Sequence, residues 1–279
     1  MTALYHDLIN NGYTHGAYKH FTVNDTKRRD IYVARVRDRV VHQLLASCIE
    51  EIYQPIFIPH SFAAQKGKGV TAARRYAFDV ISSIQKQGHV WIGKMDVEKY
   101  FANIDHGILL NLLSRRVKDA KILNLCEMII NSFGNDRHGL PLGNLTSQWF
   151  ANIYLHELDW HARHTLDIRH YMRYNDDVLM MCSKEVEARQ RTEAIVKFVN
   201  EKLRLTIPEC KTEIVSVPGS SVDVLGIGTD GFKRWVRIAT AKRAARLLDQ
   251  KYERQTPEFL DTACSYLGYG IISDVAFSF

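Results

Sequence analysis

Two adjacent aspartates between two apolar segments constrain the fold more than any other feature of this sequence. The segments IRHYMRY (168–174) and VLMMCS (178–183) have the composition of strands, and Asn175-Asp176-Asp177 between them are turn formers. An antiparallel hairpin is therefore predicted, with both carboxylates at its tip. Because adjacent acids repel each other, they do not stabilise such a turn, although solvated turns with two acids are common.

A third acid follows a different predicted strand. Asp96 lies near the end of HVWIGKMDV (89–97), which has the pattern of a buried strand. Side chains from two adjacent strand ends can lie within a few ångströms of each other. Carboxylates in that arrangement can bind two Mg²⁺ ions together with substrate phosphates, and two such ions stabilise an in-line phosphoryl displacement.

The composition is that of a folded protein, and its basic surplus is consistent with a polyanionic partner or with a generic basic enzyme. The chain has 279 residues, 46% of them hydrophobic, a net charge of +6 and a sequence pI near 9.0, which favours binding to nucleic acid or an anionic membrane. It contains no apolar run of about 18 residues, so no membrane-spanning segment is expected, and of the two polyanions nucleic acid, with no membrane, is the expected partner. It also lacks a signal-peptide pattern, and five scattered cysteines indicate neither disulfides nor zinc. A cytoplasmic location is expected.

Basic residues are concentrated in three runs. Residues 26–43 contain six basic residues against two acids, residues 231–254 contain eight against two, and residues 63–76 contain four and no acid. One such run is typical of a solvated helix face. Three of them predict a basic groove.

The periodicity alternates between helix and strand. Helices are predicted at about 34–54, 70–87, 106–117, 119–132, 145–165 and 184–204, with a helical tail. Further strands are predicted near 212–217, 222–228 and 232–238. The pattern predicts an α+β fold with a small antiparallel sheet and a short helical appendage.

Several motifs resemble those of reverse transcriptases, and they occur in the same order over nearly the whole chain. Asp96, the Tyr-x-Asp-Asp hairpin and GLPLGNLTSQ resemble three central palm motifs, and ECKTEI and VLGIG resemble the motifs that close the palm. RDIYVARVRDRVVHQLL and SFAAQKGKGVTAAR resemble the two fingers motifs. The resemblance implies a right-hand polymerase fold: fingers with the N-terminal region at 1–87, palm at 88–238 with a fingers insertion at about 106–135, and a minimal thumb at 239–279.

The resemblance also implies roles for the acidic residues. Asp96 and Asp176 would bind two Mg²⁺ ions, for which Mn²⁺ can substitute, with Asp177 accessory and Val97 a further metal-binding position. Lys211 would be a general acid that assists pyrophosphate departure, and the alternative for it is a plain surface lysine.

Other positions would contact the incoming nucleotide. Lys66 and Lys68 would contact its triphosphate, since the flanking glycines allow close backbone approach, although a mobile basic loop is the alternative. Phe101 aligns with the aromatic residue that blocks a ribose 2′-OH, which implies a DNA product. The alternative for Phe101 is a core aromatic.

The loop Leu142-Gly143-Asn144-Leu145-Thr146-Ser147-Gln148 is the most specific stretch. Most reverse transcriptases have Gln-Gly and then Ser-Pro here, whereas this sequence resembles the reverse transcriptases of diversity-generating retroelements, which make an error-prone cDNA. Leu142 lacks the donor and acceptor of a Gln, so selection against wrong pairs should weaken, unless Leu142 merely packs under the loop. Gly143 and Gln148 are assigned to nucleotide binding with it. The tail YLGYGIISD agrees with this subfamily, but Asn175 departs from the small or apolar residue usual at its position.

The predicted function is RNA-directed DNA synthesis from a dedicated RNA template, a DNA or RNA primer and dNTPs, with an accessory protein or a structured noncoding RNA as partner. The alternatives are a reverse transcriptase of an antiphage defence system that copies a noncoding RNA, an inactive RNA-binding scaffold, and a two-metal nuclease or phosphatase. Eight residues of the basic runs are expected to bind nucleic acid: Arg28, Arg29, Arg35, Arg39, Lys233, Arg234, Arg237 and Lys242.

Overall fold

A computed structural model of the chain describes residues 2–24, 28–134 and 136–253. The helices in this part of the chain are α1 (Thr2–Ile9), α2 (Val36–Tyr53), α3 (Val70–Gln85), α4 (Tyr100–Asn103), α5 (His106–Arg116), α6 (Ala120–Asn131), α7 (Leu145–Trp160), α8 (Glu185–Leu203) and α9 (Ile238–Glu253). A π-helical turn at His161–Thr165 continues α7, and a short 3₁₀ turn spans Glu209–Lys211.

The strands among the described residues form three antiparallel sheets. They are β1 (Lys19–Asn24), β2 (Arg28–Val33), β3 (Val90–Asp96), β4 (His170–Tyr174), β5 (Asp177–Cys182), β6 (Thr212–Val217), β7 (Val222–Val224), β8 (Ile227–Thr229) and β9 (Arg234–Val236). β1 pairs with β2, the order of the central sheet is β4-β5-β3-β6, and the third sheet is β7-β8-β9. The mixed helical and antiparallel composition predicted from the sequence is confirmed.

The chain divides into two compact units, each assembled from three segments. Unit 1 comprises 1–59, 97–161 and 195–207, and unit 2 comprises 60–96, 162–194 and 208–279. These boundaries differ from those expected for fingers, palm and thumb, a subdivision by function that stays a prediction. The part of the expected thumb after residue 253, including YLGYGIISD, lies outside the described residues.

The central sheet of unit 2 has one face buried against helix α3. Residues at alternate positions of β3 and β5, among them Ile92, Leu179 and Met181, pack with Phe78 and Ile81 of α3. All five are nearly inaccessible to solvent. Burial of this apolar face stabilises the sheet and fixes its register, because a slip of one residue would turn these side chains outward.

The opposite face of the sheet is close to helix α8. A Cβ atom added to Gly93 in β3 would lie 2.7 Å from Thr192 Oγ1 and 2.8 Å from Met180 Cε. Glycine at this position therefore allows close packing of the helix against the strand.

The third sheet corrects one prediction from the sequence. Residues 222–228 were expected to form one strand, but the chain turns at Leu225 and Gly226, whose φ angles are 51° and 95°, and so forms β7 and β8. Two consecutive left-handed residues are the geometry of a tight hairpin. Leucine rarely adopts this conformation, so this turn is hard to predict from the residues alone.

Unit 1 contains most of the helices and the β1–β2 hairpin. Helix α7 packs against α2 and α5. Asp105 and Asp119 cap α5 and α6 by accepting hydrogen bonds from backbone N–H groups of the first turn. The β1–β2 hairpin was not predicted, because both of its strands are largely exposed and lack an apolar face.

A membrane-spanning helix would need a long, apolar stretch, and none of the helices within the described ranges meets that requirement.

Candidate active site

The predicted hairpin between two apolar strands is present in unit 2. Tyr174 at the end of β4 pairs directly with Asp177 at the start of β5, so the turn consists of Asn175 and Asp176 alone. Asn175 has a φ of 52°, in the left-handed region. Asparagine adopts this region more readily than most residues, which gives a backbone reason for a polar residue at this position.

Asp96 and Asp177 lie opposite each other on two adjacent strands of the central sheet. They are register partners at the ends of β3 and β5. Cβ atoms of directly opposed residues lie about 4.5–5.5 Å apart and on the same face of a sheet. The sheet therefore brings together two of the three acids predicted from the sequence, and Asp176 adjoins them in the turn.

Lys211 joins this cluster through Asp96. Its Nζ donates a hydrogen bond to Asp96 Oδ1, and both side chains are about one-third exposed. The contact follows from the register, since Lys211 directly precedes Thr212, which pairs with Met95. Lys211 is therefore not a plain surface lysine.

The acids are electrostatically coupled. Burial, and then the negative charges of Asp176 and Asp96, raises the pKa of Asp177 to about 6. The positive charge of Lys94 acts in the opposite direction. A nearby cation would stabilise the ionised form of a carboxyl group in these surroundings.

A second set of charged groups lies beside the acids on β3 and β7. Lys94 Nζ is 3.9 Å from Asp223 Oδ1. Arg237 donates to both carboxylate oxygens of Asp223 through Nε and Nη2. Arg237, predicted to bind nucleic acid, therefore already has a bidentate partner within unit 2.

The acids fit a cation that shares its ligands with a substrate. Within the described ranges, no three His, Cys, Asp or Glu side chains are grouped so as to enclose a metal ion by themselves. Mg²⁺, however, usually takes one or two carboxylates and completes its shell with water and substrate phosphates. Asp96 and the Asp176-Asp177 pair supply hard oxygen donors and a surplus of negative charge, so they fit such an ion.

The loop before α3 contains the two predicted triphosphate-binding lysines. Lys66 is exposed, whereas Lys68 is half-buried and its Nζ donates to the Ser61 carbonyl at 2.9 Å. Gly67 and Gly69 have φ angles of 75° and 130°, which only glycine adopts without strain. The two lysines are therefore held differently by the loop.

The loop with Leu142 belongs to unit 1 and is fixed to β2. Its anchor is the buried Asn144, whose Nδ2 donates to the carbonyls of Tyr32 at 2.6 Å and Pro141 at 3.2 Å. Asn144 Oδ1 accepts from the Ala34 amide at 3.0 Å. Asn144 lies in the loop that carries the resemblance, but its role as an anchor was not predicted from the sequence.

The predicted nucleotide-binding residues of this loop are partly accessible. Leu142 is half-buried, and its carbonyl accepts from the Tyr32 amide at 2.9 Å. Gly143 is exposed with a φ of 113°, and an added Cβ would lie 2.8 Å from Ile31 Cγ2. Gln148 is exposed on the first turn of α7. The roles of these three residues toward a nucleotide stay predictions.

Phe101 and Val97 also belong to unit 1. Of the adjacent aromatics on α4, Tyr100 is buried and donates to the Ala151 carbonyl, whereas the Phe101 ring is half-buried. Tyr100 therefore takes the core position that was the alternative for Phe101. Val97 is buried, and its assignment as a metal-binding position stays a prediction.

The remaining residues predicted to bind nucleic acid are divided between the units. Arg28, Arg29, Arg35 and Arg39 are exposed on β2 and around the start of α2 in unit 1. In unit 2, Lys233 and Lys242 are exposed, whereas the Arg234 guanidinium lies over the Phe78 ring, 4.6 Å from its centroid. Arg234 therefore packs on the core with part of its side chain.

Arg173 and Ser61, which lie beside the hairpin, were not predicted from the sequence as part of the site. Arg173 is 1% exposed, and its guanidinium donates to the Asn175 carbonyl at 2.9 Å and to Ser61 Oγ at 3.0 Å. An arginine one residue before a Tyr-x-Asp-Asp turn, in an apolar strand, was the available indication of a buried polar contact.

Comparison with known proteins finds a family match over most of the chain. The family model described as "Reverse transcriptase (RNA-dependent DNA polymerase)" matches residues 19–271. The group II intron-encoded protein LtrA of Lactococcus lactis is 22% identical over 240 residues, which cover 72% of this chain and 38% of LtrA. An uncharacterized 91 kDa protein in the cob intron of Schizosaccharomyces pombe is 30% identical over 139 residues, covering 47% of this chain and 17% of that protein.

The fold is shared with a solved telomerase. The structure of telomerase from Candida albicans, in complex with a fragment of telomeric RNA, superposes with a TM-score of 0.60 at 13% identity, covering 81% of this chain and 46% of that one. This similarity confirms the predicted α+β polymerase fold. The chain spans well under half the length of the two curated relatives above. The family match covers most of the sequence, and the chain belongs to the reverse transcriptase family.

Proposed function

We propose that the chain is an RNA-directed DNA polymerase that extends a primer on an RNA template with dNTPs. One observation carries the proposal: Asp96 and Asp177 are register partners beside Asp176, and Lys211 donates to Asp96, in a chain that belongs to the reverse transcriptase family. The relatives are an intron-encoded protein and a telomerase bound to an RNA fragment, which supports an RNA partner.

Two Mg²⁺ ions, held by Asp96 and Asp176 with Asp177 nearby, would supply Lewis-acid stabilisation of the attacking and leaving oxygens. Reverse transcriptase domains generally use such divalent ions. The raised pKa of Asp177 supports this assignment, since a bound cation would offset the cost of burying its carboxylate beside two negative charges.

The chain's own residues would bind and orient the reactants. Lys66 would contact the triphosphate, and the half-buried Phe101 ring would exclude a ribose 2′-OH. Lys211 holds Asp96 before substrate arrives and would give a proton to the departing pyrophosphate. The exposed arginines of β2 and α2 would bind phosphates of the template–primer.

Primer extension on an RNA template, with Mg²⁺ or Mn²⁺, tests the activity. Wild type should incorporate dNTPs, and Asp176→Asn should reduce incorporation by a factor of about 10³ or more, because it removes a proposed metal ligand. Asp136→Asn, an exposed turn residue, is the matched control and should remain active. Failure of wild type to incorporate any dNTP on its cognate RNA would favour the RNA-binding scaffold. Activity of Asp176→Asn would overturn the site.

We further propose that synthesis is error-prone, as in diversity-generating retroelements. The support is the LGNLTSQ loop, in which Leu142 is only half-buried and its backbone is held by β2. Leu142→Gln should lower misincorporation opposite adenine in sequenced products, whereas Leu145→Gln, the same change three residues later, should not. Unchanged errors in Leu142→Gln would remove this role for the residue.

The alternative, a reverse transcriptase of an antiphage defence system, shares the palm residues. Neighbouring genes distinguish the two: a template–variable repeat pair indicates the retroelement, and a noncoding RNA beside defence genes indicates immunity. Either system would supply the partner protein or structured RNA expected from the sequence.

A further inference from the structure

The buried residue Arg173 connects the aspartate turn to a second segment of unit 2. Its Nη1 donates to the Asn175 carbonyl at 2.9 Å, inside the turn, and its Nη2 donates to Ser61 Oγ at 3.0 Å. Hydrogen bonds from a charged donor are stronger than neutral ones, and they lose the most when one partner is removed. The turn is therefore tied to the position of Ser61.

The backbone strengthens this connection. Ser61 forms a parallel bridge with Arg173 at the outer edge of β4. The Arg173 amide donates to the His60 carbonyl, and the Phe62 amide donates to the Arg173 carbonyl, each at 3.0 Å. Ser61, which is inaccessible to solvent, thus behaves as a one-residue extension of the central sheet.

From Ser61 the contacts continue into the lysine loop. Gln65 Nε2 donates to Ser61 O at 2.8 Å and to Ser61 Oγ at 3.1 Å. Lys68 Nζ donates to the same carbonyl at 2.9 Å, and the Lys68 amide donates to the Gln65 carbonyl at 3.2 Å. Lys66 lies between these two anchors and is exposed.

We propose that Ser61 and Arg173 are positioning residues for the incoming dNTP: they fix Lys66 at a set distance from the Asp176 turn, while Lys68 anchors the loop instead of contacting the triphosphate. The inference rests on the proposed polymerase function and deepens it. Its basis is that Ser61 accepts hydrogen bonds from both the loop and the arginine that holds the turn.

Ser61→Ala removes the shared hydroxyl and leaves the backbone bridge intact. In single-nucleotide extension, we expect the KM for dNTP to rise about tenfold, the effect of losing roughly one charged hydrogen bond, while kcat changes much less. Ser61→Thr retains the hydroxyl and should recover most of the wild-type KM. Ser216→Ala, on β6, removes a hydroxyl contact with His89; it is the matched control and should leave KM unchanged.

A double-mutant cycle separates positioning from direct contact. If Ser61 acts through Lys66, Ser61→Ala combined with Lys66→Ala should have the KM of Lys66→Ala alone. Lys68→Met should be non-additive with Lys66→Ala in the same way, and this variant, at a half-buried position outside the sheet, remains informative if Ser61→Ala does not fold. Additive effects in both cycles would overturn the proposal, because they would indicate independent contacts with the nucleotide.

A binding measurement distinguishes failure of this inference from failure of the proposed function. Wild type and Ser61→Ala are each assembled on an RNA template with a chain-terminated primer and titrated with a fluorescent dNTP. About tenfold weaker binding by Ser61→Ala supports positioning even if wild type extends no primer. Equal affinities, with both proteins folded by melting temperature, would overturn the inference and leave the polymerase proposal standing.

Discussion

Lys211 and Asp96 form an ion pair between the start of β6 and the end of β3 in the central sheet. The ammonium group donates to the carboxylate oxygen that a divalent cation is expected to use. A cation that binds at Asp96 must therefore displace Lys211 or share the carboxylate with it, so the lysine and the metal are coupled.

The first prediction concerns this coupling. In Lys211→Ala, we expect the Mg²⁺ concentration for half-maximal incorporation to fall about two- to fivefold, because one positive charge near a partly exposed carboxylate has been removed. The kcat should fall as well, since the proposed proton donor is lost. Mg²⁺ titration of single-nucleotide incorporation measures both, and the exposed Lys184→Ala should change neither. A higher Mg²⁺ requirement in Lys211→Ala would contradict the competition.

The second prediction concerns the pH dependence of stability. The pKa of Asp177 is raised from its ordinary value of 3.8 to about 6, so the native state holds this proton more tightly than the unfolded chain does. The wild type therefore loses stability as pH rises from about 4 to about 6, by up to about 3 kcal/mol.

Asp177→Asn removes this titration. In EDTA, we expect the variant to be about 1–3 kcal/mol more stable than wild type at pH 8 and nearly equal to it below about pH 4. Urea denaturation at the two pH values measures the difference, with the exposed Asp249→Asn as control. A stability difference that does not vary with pH would contradict the assignment.

The third prediction concerns the left-handed backbone of Asn175. Asn175→Ala should lower the free energy of unfolding by about 1 kcal/mol relative to Asn175→Gly, because alanine is disfavoured at a φ of 52°. Thermal or urea denaturation tests this. If Asn175→Gly is as stable as wild type but has an altered rate or error spectrum, the side chain has a chemical role beyond its backbone conformation.

The fourth prediction concerns the anchor of the Leu142 loop. Asn144→Ala should destabilise the protein by about 2–4 kcal/mol, because it removes three hydrogen bonds and leaves buried partners unsatisfied. Asn124→Ala, on the exposed face of α6, should cost less than about 0.5 kcal/mol. Similar denaturation midpoints for the two variants would show that the anchor contributes little.

The fifth prediction concerns nucleic-acid binding by β2. Replacing both Arg28 and Arg29 by Ala should weaken primer–template binding and reduce the slope of log K against log salt by about 1–2, since each phosphate contact releases about one counterion. Fluorescence anisotropy over a salt series measures the slope. The control is Arg189→Ala, since the Arg189 side chain is ion-paired with Glu185 at 2.7 Å. An unchanged slope would exclude these arginines from the interface.

Much of the fold was predictable because local periodicity determines it. Helices α2, α3, α5 to α8 and the strands of the central sheet begin and end within a few residues of the predicted bounds. The β1–β2 hairpin was missed because exposed strands have no apolar alternation, and the β7–β8 turn was missed because a leucine occupies a left-handed position.

The acids of the site were predictable, but their supporting contacts were not. Asp176 and Asp177 are conspicuous in an apolar context, and Asp96 ends a clear strand. The contact between Ser61 and Arg173 joins residues 112 positions apart, and each is ordinary in its local sequence. Such contacts depend on strand register and burial, which no short segment of sequence contains.

The interleaved segments of the two units have a consequence for synthesis of the protein. Asp96, at the end of β3, is synthesised 115 residues before Lys211. Strand β6, which directly follows Lys211, therefore leaves the ribosome long after β3. During that interval β3 has an unpaired edge, and such edges are prone to pairing with other chains. A nascent chain arrested before residue 212 would contain all three aspartates but not the strand that completes their sheet.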